Sequence, residues 1–530
     1  MAETVQQQLR DLIDGSSVAL RHDGAQRSWR EHLADAAAQA SALLAIADSG
    51  RPLHIGTLLG NTPAMLTAMA AAGLGGYVLC GINTTRRGAA LARDITHSDC
   101  QILLTDDAHR DLLAGLDLPG VRIIDVGSAE YAALVADAGP LRPAREVGPM
   151  DTFMLIFTSG TSGDPKAVQV PHITVLLAGA ALAQRFEITS DDVCYLSMPL
   201  FHSNAVLAGW SVAVAAGAAM VPAAFTASGL VDDLRRYGVT YLNYVGKPLA
   251  YVLATPERPD DADNPLRVAF GNEASDRDIE EFGRRFACKV WDGFGSTEGA
   301  VVVTREEGCP TGSVGRGFPG VAIYDPETLV ECPVAEFDAH GVLVNGDQAI
   351  GELVNTSGSG MFQGYYKDES ATEDRLRHGM YWSGDLAYRD ADGWIYLAGR
   401  TADWMRVDGE NMTSAPIERI ILRHKAISQV AVYPVPDEQV GDQVMAAIVL
   451  HAGAELTPAQ FEEFLAGQDD LSPKAWPRRV WITEVLPATA TNKVLKRELI
   501  ALGTAPPGGC HWLRDARGTA YSDADIAVSR

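Results

Sequence analysis

With 530 residues, 47% of them hydrophobic, and a formal charge of −25, the chain has core enough for more than one domain and the wrong sign of charge to grip a phosphate backbone. Nucleic acid is therefore excluded as an expected partner. Seven cysteines, Cys80, Cys100, Cys194, Cys288, Cys309, Cys332 and Cys510, include no C-x-x-C pair, which argues against a zinc or disulfide framework and for thiols in a reducing cytosol. The first residues lack the basic and apolar regions of a signal peptide, so a cytoplasmic protein is expected. Apolar runs at 102–105, 121–126, 153–157 and 241–245 alternate with alanine-rich segments, the pattern of βαβ units on a parallel sheet. The uncharged stretch 206–224 approaches membrane-spanning length, but it is dominated by Ala and Gly, contains Ser211 and Pro222, and has no basic flank. A buried helix and strand is expected there, with no transmembrane segment. After Asp385 the pattern changes. Residues 393–397 read as a strand leading into a Gly399-Arg400 turn, 417–425 and 457–467 as helices, and 430–435 and 444–450 as strands. A small α+β domain is expected from about residue 400. Pro506-Pro507-Gly508-Gly509 breaks structure, and the tail beyond it would be ordered only by packing on the body.

The segment Thr158-Ser159-Gly160-Thr161-Ser162-Gly163-Asp164-Pro165-Lys166 follows the apolar 153–157 run directly, as a loop leaving a buried strand. Its glycines permit close backbone approach, its four Ser/Thr hydroxyls donate to phosphate oxygens, and Lys166 adds a positive charge. The chemistry suits the β,γ-end of a nucleoside triphosphate. A Walker P-loop needs Gly before the lysine and Ser or Thr after it; here Pro165 and Ala167 stand at those places, so that reading fails at both flanks.

The nonapeptide resembles the signature loop of the adenylate-forming superfamily, which includes acyl-CoA synthetases, luciferases and peptide-synthetase adenylation domains. Further motifs follow in the family's order. Phe294-Gly295-Ser296-Thr297-Glu298-Gly299 is similar to the second signature, whose aromatic residue stacks on adenine, whose Thr reaches phosphate and whose Glu holds Mg²⁺; taken alone, the Ser-Thr-Glu triplet reads as a helix start. Tyr381-Trp382-Ser383-Gly384-Asp385 resembles the third, whose Asp binds both ribose hydroxyls; taken alone, it reads as a turn before a strand. Arg400 matches a nucleotide-contacting arginine, Ala402 the hinge, and Gly409-Glu410 a loop near the pantetheine path. Lys493 stands where the family carries a mobile lysine that stabilises charge during adenylation; the competing reading, a basic surface helix start, suits Lys496 and Arg497 better. The resemblance extends nucleotide binding to Thr158, Ser159, Gly160, Thr161, Ser162, Lys166, Gly271, Asn272, Glu273, Asp292, Gly293, Phe294, Gly295, Ser296, Thr297, Asp385, Arg400 and Arg406. His202, within Met198-Pro199-Leu200-Phe201-His202-Ser203-Asn204, sits at a family motif beside the acyl pocket. It is expected to orient the carboxylate or gate the thiol path, although a lone histidine is more often structural.

Ala402, Ala167 and Asn492 depart from the common pattern in the way of the very-long-chain acyl-CoA synthetase and fatty-acid-transport-protein branch. Arg406, Gly409-Glu410-Asn411, Gly271-Asn272-Glu273 and the tail from Trp512 to Tyr521 resemble that branch as well. The resemblance implies an α/β fold with a large N-terminal adenylation domain at 1–399, a hinge at 400–405 and a small mobile α+β C-terminal domain at 406–530. It implies ATP, Mg²⁺ and coenzyme A as cofactor and co-substrates, catalytic roles for Lys493, Lys166 and His202, and Glu298 as metal ligand. The expected reaction is activation of a long-chain, sterol-type or polycyclic terpenoid acid to acyl-AMP, then thioester formation. Two other readings stay open: transfer of the acyl-adenylate to a carrier or thiolation partner, and a nucleotide-binding protein that has lost catalysis. A homodimer is left open too.

Overall fold

Short, fully apolar runs and alanine-rich segments build two parallel sheets in the first part of the chain. The computed structural model describes residues 2–158, 165–341, 343–400, 404–407, 410–437, 441–488, 494–504, 506–514 and 518–524, with backbone alone for 404, 406, 410, 411, 437 and 441. The chain divides into two compact units, Met1–Ala300 with Ser359–Leu376, and Val301–Gly358 with Arg377–Arg530.

In the first unit, one sheet has the order Arg122–Asp125, Ile102–Thr105, His54–Leu58, Val78–Gly81, Thr152–Thr158, Lys166–Pro171. The first five strands run parallel and the last returns antiparallel to Thr152–Thr158. The central strands are buried end to end, as parallel strands covered on both faces must be. The second sheet has the order Lys289–Gly295, Val268–Asn272, Tyr241–Val245, Val193–Leu196, Ala219–Pro222, Val18–His22, closed by an antiparallel edge strand Ala25–Ser28. Helices join successive parallel strands, and their ends obey local chemistry. Ser28 and Glu31 form a reciprocal capping box on Trp29–Ile46, while Pro63 opens Pro63–Gly75 and Gly76 closes it in the left-handed region. The 206–224 stretch resolves as expected into buried helix and strand: a π-helical turn Val206–Trp210, then Ser211–Ala216 and Ala219–Pro222. No helix of the described residues is long and apolar enough to cross a membrane.

The second unit holds an antiparallel sheet of Val321–Tyr324, Gly351–Asn355, Met380–Arg389 and Ile395–Arg400. The expected turn at Gly399-Arg400 is in fact the end of a strand, and Tyr381 to Asp385 lie inside one, because the two strands pair through to Asp385 and Arg400. A further sheet has the order Glu410–Thr413, Trp404–Val407, Gly441–Leu450, Arg479–Ile482, Cys510–Arg514, Tyr521–Asp523, with Ile427–Asp437 also on Gly441–Leu450. Helices Ser414–Ile421 and Pro458–Ala466 accompany it. Their apolar residues join one core with Trp476, Trp512 and Tyr521. The tail beyond Pro507 thus adds two strands and two large aromatics to the core.

Candidate active site

Three separate stretches of the first unit meet around Tyr365. Lys166 faces Thr158 in the antiparallel register, so both ends of the 159–164 connection are held side by side. Ser159, Gly160, Thr161 and Ser162 themselves lie outside the described residues. Lys166 Nζ stands 5.2 Å from the centroid of the Tyr365 ring, within reach of the ring's negative face. The Tyr365 hydroxyl donates to Glu298 Oε1 at 2.8 Å and also hydrogen-bonds Arg375. Tyr365 is held in turn by a β-bridge to Val168, by its own N–H donating to Thr372 Oγ1 at 2.9 Å, and by an edge-on contact with Phe362 at 5.1 Å. Burial, then the adjacent Glu298 carboxylate, raise its pKa well above the ordinary phenol value, so it stays protonated.

Beside this cluster, the carboxyl ends of Tyr241–Val245, Val268–Asn272 and Lys289–Gly295 carry a web of asparagines. Ligands of open parallel sheets bind at such strand ends. Asn204 Nδ2 donates to the Tyr244 carbonyl and to Asn272 Oδ1, both at 3.1 Å. Asn243 Nδ2 donates to Asn204 Oδ1 at 2.8 Å, and Asn272 Nδ2 to the Gly293 carbonyl at 2.7 Å. Gly271 lacks a side chain because a Cβ there would stand 2.2 Å from the Tyr244 carbonyl oxygen. Glu273, just past the strand end, takes a left-handed φ of 65°, uncommon for a residue with a Cβ and a mark of functional loops. Asp292 is buried and its Oδ2 accepts from Tyr244 OH at 3.1 Å and from the Ala274 N–H at 3.0 Å, so it braces the strand ends.

The Ser296-Thr297-Glu298 triplet starts no helix. It forms a turn after Lys289–Gly295, with the Gly299 N–H donating to the Ser296 carbonyl at 3.0 Å. The Thr297 hydroxyl donates to Ser203 Oγ at 2.8 Å, while Ser296 Oγ is buried without a protein partner. Gly293, Phe294 and Gly295 are the last residues of the strand that delivers this turn. His202 packs against Phe201 with ring centroids 4.5 Å apart, and its shielded Nε2 has no hydrogen-bond partner. Burial lowers its pKa to about 4, so it is a neutral imidazole at pH 7.

In the second unit, Asp385 and Arg400 are direct cross-strand partners with Oδ1 to Nε at 3.3 Å. Gly384 and Gly399, with φ of 75° and 128°, set the backbone that aims the pair. Ser383 Oγ accepts from the Asp385 N–H at 3.1 Å, and the Gly384 N–H donates to Glu352 Oε1 at 2.6 Å. Arg406 lies on Trp404–Val407 opposite Asn411, and Glu410 opposite Val407; their side chains lie outside the described residues. Ala402, Gly409 and Lys493 also lie outside them. Lys496, read from the sequence as a surface residue, is half-buried: its Nζ reaches Glu418 Oε1 at 2.9 Å and Ser414 Oγ at 2.5 Å.

Sequence reasoning missed Tyr365, which stands far from every motif and shows its purpose only through its contacts. It also missed Ser203, Asn204 and Asn243 as partners, although the heptapeptide around His202 and the 241–245 run were both noted. The site suits a hard divalent cation. Among the described residues no three His, Cys, Asp or Glu side chains gather as a cage, and Glu298 offers one carboxylate that shares the Tyr365 side chain with Lys166. Mg²⁺ is held in this way, by one or two carboxylates plus substrate phosphates and water.

The AMP-binding enzyme family matches residues 12–366, and its AMP-binding enzyme C-terminal domain matches 416–493. The medium/long-chain-fatty-acid–CoA ligase FadD17 of Mycobacterium marinum is 52% identical over 502 residues, 94% of this chain and 96% of that protein. The steroid-22-oyl-CoA synthetase of Rhodococcus jostii is 44% identical over 503 residues, 94% of this chain and 90% of that protein. The crystal structure of ATP-bound MatB from Rhodopseudomonas palustris superposes with a TM-score of 0.82 at 24% identity, covering 94% of this chain and 99% of that one, which shows the fold of adenylate-forming enzymes. The carboxylate and lysine gathered at parallel strand ends and the matches over nearly the whole chain agree: this chain belongs to the AMP-binding enzyme family.

Proposed function

We propose that this chain converts a bulky hydrophobic carboxylic acid, a long-chain fatty acid or the side-chain acid of a steroid, to its CoA thioester. The chain is an AMP-forming acid–thiol ligase that uses ATP, Mg²⁺ and coenzyme A. The substrate class rests on the relatives named for medium/long-chain fatty acids and for steroid-22-oyl acids. The observation that carries the site is the convergence of Lys166, Tyr365 and Glu298 beside the asparagine web.

In the first half-reaction a substrate carboxylate oxygen attacks the α-phosphorus of ATP. A C–O–P bond forms, the Pα–O–Pβ bond breaks, and pyrophosphate leaves with the electron pair. Lys166 and the 158–166 loop hold the departing charge, and Lys493 steadies the α-phosphate. Glu298 would hold Mg²⁺, whose charge offsets that of the phosphate oxygens. Phe294 backs the adenine, Thr297 lies along the phosphates, and Asp385 and Arg400 take the ribose. His202, neutral and with an unused ring nitrogen, orients the carboxylate. In the second half-reaction the CoA thiol gives its proton to solvent and its sulfur attacks the acyl carbonyl; a C–S bond forms, the acyl C–O bond to the phosphate breaks, and AMP leaves with the electron pair. We assign residues 1–399 to adenylation, 400–405 with Ala402 to the hinge, and 406–530 to the mobile domain that carries Lys493 away and brings Gly409 and Glu410 to the pantetheine path. The need for ATP and CoA fits work in the cytoplasm.

Pyrophosphate release measured over aliphatic, aromatic, sterol and diterpenoid acids, with and without CoA, tests both substrate class and acceptor. Release with long-chain or sterol acids together with thioester formation on CoA supports the proposal. Release without a CoA thioester favours a carrier or thiolation partner instead.

A further inference from the structure

The hydroxyl of Tyr365 sits between a carboxylate and a guanidinium. Arg375 can only donate, so the phenol oxygen accepts from it and the single phenol proton is directed at Glu298 Oε1, 2.8 Å away. The face of the same ring lies under the Lys166 ammonium. One side chain therefore touches both charged groups that the adenylation site turns toward the triphosphate, one negative and one positive. Its backbone is tied to the Lys166–Pro171 strand through Val168 and to Thr372, which leaves it little freedom to move away from either. Without the ring, the Lys166 and Glu298 charges would have no shared fixed reference: Lys166 is a flexible stem at the start of a strand, and Glu298 stands in a turn.

We propose that Tyr365 is the positioning residue of the triphosphate grip, its hydroxyl orienting the Glu298 carboxylate toward the divalent cation and its ring seating Lys166 toward the phosphates. The inference rests on the adenylation reading and adds to it a coupling between metal ligand and lysine. The two halves of the role are separable. The hydroxyl acts on the metal, and the ring acts on the lysine.

The test uses the full chain and two variants, Tyr365→Phe and Tyr365→Leu, with Mn²⁺ as the probe. Mn²⁺ affinity of the enzyme–ATP complex is read by electron paramagnetic resonance, ATP affinity in the presence of a chelator by calorimetry, and folding by thermal melting. Tyr365→Phe is expected to weaken Mn²⁺ binding about tenfold, the usual scale for loss of a partner that orients a metal ligand, and to leave metal-free ATP affinity unchanged. Tyr365→Leu is expected to weaken both. A Tyr365→Phe variant within twofold of wild type in Mn²⁺ affinity overturns the hydroxyl's role, and equal metal-free ATP affinity in the two variants overturns the ring's. Losses of both affinities in the same proportion in both variants, tracking a lowered melting temperature, reduce Tyr365 to a packing residue and overturn the proposal. Wild-type enzyme that binds Mn²⁺ and ATP but releases no pyrophosphate with any acid overturns the adenylation reading itself, a failure the binding measurements tell apart from the others.

Discussion

Burial has stripped three histidines of their protons. His32, His172 and His202 all have pKa values lowered to about 4, chiefly because burial strips water from the ring. The unfolded chain holds these groups near 6.5, so between pH 6.5 and 4 it binds more protons than the folded one. Folded stability is therefore complete above pH 6.5 and falls as the pH drops toward 4, by up to about 3 kcal/mol for each such group. His32 is the cleanest probe, because both ring nitrogens are buried without partners beside Trp29 and it touches none of the proposed site. Urea unfolding of His32→Leu at pH 7.5 and at pH 5 is expected to show a smaller loss on acidification than the wild type; an identical loss would mean that His32 stays neutral only in appearance.

Elements rather than single residues aim the site. The asparagine web exists because three parallel strands end together and the short helical turn Ser203–Ala205 brings Asn204 to them; the π-helical turn Val206–Trp210 follows it directly, and such turns recur at functional sites. Gly271 marks how tightly the strands pack. Gly271→Ala would place a methyl 2.2 Å from the carbonyl oxygen that accepts from Asn204. The expected cost is about 1 to 3 kcal/mol of overpacking, read as a lowered melting temperature, together with a fall in pyrophosphate release larger than the stability loss explains. A variant with wild-type melting and activity would show that the strands can part without disturbing the web. In the second unit the Lys496–Glu418–Ser414 cluster performs a similar service, tying the Lys496–Leu502 helix to Ser414–Ile421.

At the scale of the molecule, the proposed mechanism uses Lys493 in the first half-reaction and not in the second. Lys493→Ala is expected to depress acid-dependent pyrophosphate release by about 10² or more while thioester formation from supplied acyl-adenylate and CoA stays near wild type. Equal loss in both half-reactions would remove the role assigned to Lys493. The tail contributes to the whole as well. Trp512 and Tyr521 are 2% and 7% exposed, within the core that also holds Phe461 and Trp476. Truncation after residue 505 deletes both, each large buried aromatic being worth about 3 to 5 kcal/mol, so the shortened chain is expected to lose the cooperative melting of the second unit. Retained melting would mean that the last two strands are ornaments on a complete sheet.

The proposed site is read from linear order because its chemistry demands particular residue types next to one another: hydroxyls and glycines before Lys166, Phe294 through Glu298 in a run, Asp385 behind a glycine. The alternation of apolar strands and helices likewise disclosed the α/β class, since burial on both faces leaves its mark on composition. The strand ending at Arg400 and the half-buried Lys496 were not legible, because a local window cannot register a partner fifteen or eighty residues away. Adenylation chemistry, the nucleotide and the order of the motifs were thus determined by the sequence itself. Tyr365 as the common neighbour of Lys166 and Glu298, the neutral state of His202 and the asparagine web were decided only by the tertiary structure, since burial, desolvation and the meeting of distant strand ends exist only once the chain has folded.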